Sequence, residues 1–313
     1  MTSPFDHGSV SLGTYVHDLA PTAMVDTLLA QAVLADESGF DGVTIAEHHA
    51  GYPTYMPNPI LGASWLLDAM PRAWSGPNPV LLPLRTPGLV LQDLAWLAAR
   101  HPGRVGATFA SGYVEQDFVA CNVPFAGRNA RFRDALGVIG GELTKPSEVF
   151  AGDPVVRAAA DAGVPMIVAA KGARAVTRAA ELGMGLSVPL TDPAQIADVN
   201  DLYLQAGGTG PRLMMRWVWI GDLPEAAIRR WDEEHRYSID SGAPRQVESS
   251  LRVASAADAG DVAALLAAEL VASHCTCLSV RIHMPDVPPE QVAEQIAGIG
   301  TDVLPRLRSL LAT

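Results

Sequence analysis

The sequence predicts an α/β fold of the (β/α)₈ TIM-barrel type, and three observations lead there. Short apolar runs bounded by turn residues alternate with longer stretches of helical periodicity, and eight such runs are found. No G-x-G-x-x-G follows an early strand, so the usual sign of an open dinucleotide-binding sheet is missing. The length, 313 residues of which 49% are hydrophobic, suits one barrel domain over 1–313 with no interdomain linker. An open doubly wound sheet is the alternative.

The first strand run, 9–16, is followed by Met24, Leu28, Leu29, Ala32 and Val33 at helical spacing, with Gly39 closing that helix. Further runs fall at 42–46, 79–84, 104–109, 165–170, 185–189, 212–220 and 277–283. Leu91, Leu94, Ala95 and Ala98 mark a helix after the third run; 174–182 and 193–205 follow the fifth and sixth. A last helix starts near Pro289, with Val292, Ile296 and Ile299 on one face. Strands alternating with helices imply a parallel sheet, because parallel neighbours need crossover connections. Two stretches break the rhythm. The segment 143–163 is weakly patterned, and 241–258, after the seventh run, is polar around Gly242 and Pro244. That second segment fits a lid over the barrel mouth or an ordinary surface loop.

Composition narrows the function. The formal charge is −12 without a block of like charges, which argues against nucleic acid and anionic membranes. Lys145 and Lys171 are the only lysines. No run approaches the roughly 18 apolar residues of a membrane span, and 1–10 lacks the basic start and apolar core of a signal peptide. Three cysteines, Cys121, Cys275 and Cys277, do not make a disulfide framework, and no second cluster completes a metal site with His274. The expectation is a cytoplasmic protein without a bound metal.

Polar residues just past the C-terminal end of a barrel strand point into the active-site mouth. Glu47, His48 and His49 stand there after the second run. An imidazole titrates near neutrality and can take or give a proton, and an adjacent carboxylate can fix its tautomer. By themselves these residues fit catalysis, a solvated turn or metal ligands.

The segment F-D-G-V-T-I-A-E-H-H, 40–49, resembles the second-strand signature of the bacterial luciferase-like flavin oxidoreductases. The likeness continues in collinear order. L-P-L-R-T-P (82–87) and S-G-Y-V-E-Q-D-F (111–118) follow the third and fourth runs. V-P-F (123–125) comes next, with Arg128 and Arg131-Phe132, then I-V-A-A (167–170) and V-L-P-R-L-R (303–308).

What this resemblance implies is a barrel holding a flavin, or the deazaflavin F420, at its C-terminal mouth. E-H-H is more typical of the branch that uses reduced FMN and O₂. His48 corresponds to the histidine near the flavin's reactive carbon in bacterial luciferase, His49 would support it, and Glu47 would orient the pair. The family's cis peptide beside the ring falls on Asn78-Pro79, where a proline that is trans at a strand entry fits equally. Around the cofactor the resemblance places Ser111, Gly112 and Tyr113, with Ser111 and Asn129 standing where phosphate-binding arginines are usual. Backbone N–H groups of Ala169, Ala170, Lys171 and Gly172, with the Lys171 and Arg174 side chains, fit a relocated phosphate site at a helix N-terminus; a solvated Lys171 is the alternative.

Tyr15, His17, Tyr55, Trp217 and Trp219 are the candidate substrate-lining residues, with Tyr52, Met56, Trp65 and His283 nearby in the pattern. They suggest a small, fairly apolar organic substrate. The reading is therefore a two-component, FMN-dependent monooxygenase that receives reduced flavin from a separate reductase and pairs as a homodimer. An F420-dependent hydride-transferring oxidoreductase and a non-catalytic flavin-binding paralogue are the alternatives.

Overall fold

The computed structural model describes residues 2–50, 55–239 and 252–312. Along the chain, β1 (Val10–Thr14) is followed by α1 (Pro21–Ser38), β2 (Gly42–Ile45), α2 (Pro59–Ala69), β3 (Trp74–Pro77) and β4 (Val80–Leu81). Next come α3 (Pro87–Arg100), β5 (Ala107–Ala110), α4 (Glu115–Ala120), α5 (Arg128–Thr144), α6 (Pro154–Ala162), β6 (Met166–Ala169) and α7 (Ala173–Glu181). The remainder is β7 (Gly185–Ser187), α8 (Pro193–Gln205), β8 (Arg212–Ile220), α9 (Glu225–Ile239), β9 (Val253–Ala256), α10 (Ala259–Ala272), β10 (Cys277–Arg281), α11 (Pro289–Gly298) and α12 (Leu304–Leu311).

The strands run parallel in the order β3-β2-β1-β10-β8-β7-β6-β5-β4, with β9 added against β8. The two ends of that order, β3 and β4, are successive pieces of one strand, split only by Asn78 and Pro79. Ser75 on β3 also bridges Val105, and its N–H donates to Arg104 O at 2.9 Å. The sheet thus curls into a nearly closed barrel with helices around it.

Alternation along the strands separates two environments. Leu12, Val43, Leu278 and Val280 turn outward into the helix layer. Inside, Phe5, Trp74, Ile167, Leu213 and Cys277 plug the N-terminal end. Gly42 is needed there, since a Cβ would lie 2.2 Å from the Trp74 ring. Above the plug the interior becomes polar: Ser11, Thr44, Thr108, Ser187 and Ser279 are all buried. The barrel is closed at the bottom and hydrophilic towards the mouth, where a polar ligand can be met.

Three expectations need correction. The third strand was expected at 79–84; it is β3 and β4, and Leu82–Leu84 forms a 3₁₀ turn. Pro79 has no N–H to give a ladder and Pro83 starts the turn, so the apolar run could not continue as a strand. The weakly patterned 143–163 contains α6, because the Asp153 side chain accepts from Val155 N and Val156 N at its start. The proposed lid at 241–258 is not one loop: Val253–Ala256 is the strand β9, and Asp258 caps α10. The rest of it, 241–251, lies outside the described residues, as does Tyr52.

Candidate active site

The segment after β2 turns over the barrel mouth, and two buried carboxylates fix it. Glu47 forms a bridge with Met56 and takes four donors. Its Oε1 accepts from Arg85 Nη2 at 2.7 Å, Arg85 Nε at 3.1 Å and His49 Nε2 at 2.8 Å, while Oε2 accepts from Leu81 N at 2.8 Å. A carboxylate that is fully engaged and paired with a guanidinium is not an available base. It ties the β2 turn to β4 and the following 3₁₀ turn.

Asp117, on α4 and fully buried, holds the other imidazole. Its Oδ2 meets His48 Nδ1 at 2.7 Å and its Oδ1 accepts from His49 N at 2.7 Å. A carboxylate only accepts, so the proton of this contact sits on Nδ1, and Nε2 is the His48 nitrogen that can exchange one. The expected division of labour therefore shifts. Glu47 orients His49, and Asp117 orients His48. Sequence reasoning quoted Asp117 within S-G-Y-V-E-Q-D-F without giving it a role. The His48 ring packs edge-on against Tyr55 at 4.5 Å and Tyr113 at 5.6 Å between centroids.

Tyr55 links this corner to the opposite side of the mouth, where its ring meets Tyr15 at 4.9 Å. Tyr15 stacks on Trp217 at 6.2 Å and approaches His283 at 5.9 Å. His17 and His283 share Gln31, with His283 Nε2 to Gln31 Oε1 at 2.7 Å and Gln31 Nε2 to His17 Nε2 at 2.9 Å. Burial, reinforced by His17, pushes His283 down to about 3, and burial also lowers His17. Both rings are neutral at physiological pH. Trp219 stands apart: it is buried, and its Nε1 donates to Asp222 O in its own loop at 2.9 Å. The structure thus brings Tyr15, His17, Tyr55 and Trp217 together with His48 and leaves Trp219 packed under the rim.

Arg281, the last residue of β10, was missed by sequence reasoning and lies in this cluster. Its guanidinium carbon is 5.6 Å from the Tyr15 ring centroid, and Nη2 reaches Met215 Sδ at 3.1 Å. Burial opposes its charge, but at the high pH where an arginine titrates Tyr15, Tyr55 and Tyr113 are phenolates, which outweigh that and raise its pKa; at neutral pH they carry no charge. The signal was present in L-S-V-R-I-H: at period two, Ser279, Arg281 and His283 share the inner face.

On the third side, the Asn78–Pro79 bond is cis. Gly112 has φ +72°, and a Cβ there would lie 2.9 Å from the Phe118 ring, so glycine is required. Ser111 is half-buried, Tyr113 is largely exposed and Asn129 is exposed at the start of α5. Arg128 does not reach outward; its Nε donates to Gly112 O at 3.0 Å and its guanidinium covers the Phe125 ring. Ala169 and Ala170 end β6, with Ala170 N donating to Ser187 O, so that amide is already used. Lys171, Gly172 and Arg174 are exposed at the N-terminus of α7 and form no ion pair among the described residues. Two buried hydroxyls of the inner face, Thr108 Oγ1 and Ser187 Oγ, have no hydrogen-bond partner among the described residues. Unsatisfied interior donors beside a cationic helix start fit a polar, phosphorylated ring cofactor.

No group of three His, Cys, Asp or Glu is arranged to hold an ion among the described residues. Burial raises the Cys275 and Cys277 thiols, which opposes thiolate formation. No helix among the described residues is long and apolar enough to cross a membrane.

A family model described as luciferase-like monooxygenase matches residues 7–301. The F420-dependent glucose-6-phosphate dehydrogenase of Beutenbergia cavernae is 32% identical over 173 residues, 50% of this chain and 51% of that protein. The matched stretch thus spans about half the length of that curated relative. Among solved structures, a monooxygenase from Streptomyces bottropensis superposes with TM-score 0.76 at 17% identity, covering 95% of this chain and 99% of that one. The oxygenating constituent of 3,6-diketocamphane monooxygenase from Pseudomonas putida, a type II Baeyer-Villiger enzyme in complex with FMN, gives 0.73 at 16% identity over 96% and 98% of the two chains. At these identities the structural likeness speaks for the fold.

Proposed function

Because this chain belongs to the luciferase-like monooxygenase family, we propose that it is a flavin-dependent monooxygenase using reduced FMN and O₂ on a small organic substrate. The observation that carries the reading is His48, buried at the barrel mouth with Nδ1 held by Asp117 at 2.7 Å. Reduced flavin supplies the two electrons of the reaction. The chain's own residues supply the rest. His48 holds a proton at Nδ1 and exchanges one at Nε2. Tyr55 and Tyr113 enclose the ring and keep water from it. Glu47 and Arg85 keep the β2 turn in place.

Gly112, with Ser111, Tyr113 and the cis Asn78–Pro79 bond nearby, would line the ring, and Lys171, Arg174 and the α7 N-terminus would meet the phosphate. Asn129 brings no charge to it. An exposed anchoring end suits a flavin that arrives reduced from a separate reductase and leaves again. Leu61 on α2 with Leu89 and Trp96 on α3, all exposed, suit pairing with a second copy. The second reading, hydride transfer with F420, is favoured by the likeness of half of this chain to an F420-dependent dehydrogenase, at 32% identity.

Equilibrium titration with FMN, riboflavin and F420, oxidised and anaerobically reduced, separates the two. Reduced FMN should bind at least about tenfold tighter than F420, a difference of about 1.4 kcal/mol. Lys171→Met should weaken FMN several-fold and leave riboflavin unchanged. Preference for F420 would overturn the oxygenase reading in favour of hydride transfer.

A further inference from the structure

We propose that Arg281 is a substrate-recognition residue, and that the substrate carries an oxyanion (a carboxylate, phosphate or sulfonate) which this guanidinium binds. The inference deepens the function proposed above and rests on its placing the reaction at the barrel mouth.

Among the described residues the other buried or half-buried arginines have strong acceptors. Arg216, 1% exposed, is 2.6 Å from Glu269. Arg85 pairs with Glu47, and Arg104 donates to the carbonyls of Met70 and Ala73. Arg281 is different. Among the described residues its hydrogen-bond partner is a thioether sulfur, its guanidinium otherwise faces the Tyr15 ring, and it forms no ion pair. A thioether is a weak acceptor, and the face of a tyrosine offsets only part of the cost of withdrawing a guanidinium from water. Such a group persists where an anion completes it.

The surroundings are built for a ligand. Arg281 pairs in register with Gly13, whose missing Cβ would have been 3.4 Å from the arginine stem. Among the described residues Tyr15 Oη is buried without a hydrogen-bond partner, and so is Ser279 Oγ one inner-face position below Arg281. Both are donors that an oxyanion can use. His283 Nδ1 is likewise buried and unpartnered. Because His283 Nε2 donates to Gln31 Oε1, Nδ1 is an acceptor and suits a hydroxyl or N–H beside the anion. The tyrosine chain then sets direction. Tyr55 touches Tyr15 on one side and His48 on the other, so a molecule anchored at Arg281 extends across Tyr55 towards His48. The fairly apolar substrate expected from sequence gains one charged end.

The test is binding to the full chain, with and without FMN, read by calorimetry and tryptophan fluorescence. Three aromatic anions serve as probes (benzoate, phenyl phosphate and benzenesulfonate), each against a neutral counterpart (methyl benzoate, phenol and benzenesulfonamide). At least one anion should bind saturably and about tenfold or more tighter than its counterpart. Arg281→Met should abolish that preference, Arg281→Lys should keep part of it, and FMN affinity should stay within about twofold. R281M should also melt no lower than the wild type, since it removes an unpaired charge from a half-buried site; a purely structural arginine would give the opposite. The proposal fails if no anion outbinds its neutral counterpart or if R281M keeps the preference. It also fails if R281M weakens FMN by the same factor, which would assign the arginine to the cofactor's phosphate. None of these readouts needs turnover, so a preference for F420 overturns the oxygenase reading and leaves this one standing, and the converse holds.

Discussion

Asp117→Asn tests the site at its tightest point. The side chain keeps its size, but one of its two oxygens becomes an amide NH₂. Asp117 receives His49 N at 2.7 Å and His48 Nδ1 at 2.7 Å. A backbone N–H can only donate, so the asparagine oxygen must turn to His49, and the NH₂ then faces His48 Nδ1. Two donors cannot face each other, so the imidazole proton moves to Nε2 and the ring adopts the wrong tautomer. Replacing one charge-assisted bond by a neutral one should cost about 1–2 kcal/mol of stability. The chemical step should fall much further, by about 10²–10⁴, the range for a mispositioned or mis-protonated general acid–base. ¹⁵N spectra of histidine-labelled protein, with eight histidines and His48→Gln to assign the signal, read the tautomer directly. A D117N protein that keeps Nδ1–H would refute the orientation argument. A flipped tautomer with unchanged turnover would refute the catalytic role of His48.

Two further outcomes follow from buried charge. Arg85→Met strands the Glu47 carboxylate, which still has Leu81 N and His49, so the loss should sit at the low end of the usual range, about 3 kcal/mol in urea unfolding. Adding Glu47→Gln should recover at least about 1 kcal/mol of it; strict additivity would show that the pair is not coupled. His283 is lowered from 6.5 to about 3, so below pH 6.5 the unfolded chain takes up a proton that the folded ring refuses. Stability therefore falls as pH drops from 6.5 towards 3, by about 1.5 kcal/mol from this group between pH 6.5 and about pH 5. The lowered His17 adds to the same slope. His283→Gln should flatten it; an unchanged slope would show that the ring is not neutral in the fold.

Legibility in the sequence followed the range of the interactions. The barrel was readable because strand and helix periodicities are local, and the mouth because strand ends place it. The third strand was not, since W-S-G-P lacks the apolar run that advertises a strand, while V-L-L-P-L carries one and turns. β9 was hidden in a polar segment whose pairing partner, β8, lies 36 positions earlier by register, Trp217 to Val253. Asp117 and His48 are 69 residues apart, and nothing in either neighbourhood announces the other. Arg281 was visible as a letter, but only the absence of an acid around it among the described residues gives it meaning, and that absence is a property of the fold.

The two halves of the mouth differ in how their polar groups are satisfied. Around β2, β4 and α4, Glu47 and Asp117 have all four oxygens engaged and Arg85 is paired. Around β1 and β10, among the described residues, Tyr15 Oη, Ser279 Oγ and His283 Nδ1 have no partner, and Arg281 has only sulfur and a ring face. A reacting group must be held before the substrate arrives, so its neighbours are completed by the protein itself. A recognition surface must keep its unsatisfied groups for the ligand and gives up stability to do so. Substitutions should therefore separate by side. Changes at Arg85, Glu47 or Asp117 should cost stability and rate together, whereas Arg281→Met and Tyr15→Phe should cost selectivity while leaving the melting temperature level or higher. If both sides lost stability alike, the β1–β10 wall would be ordinary core, and the asymmetry of the mouth would carry no functional meaning.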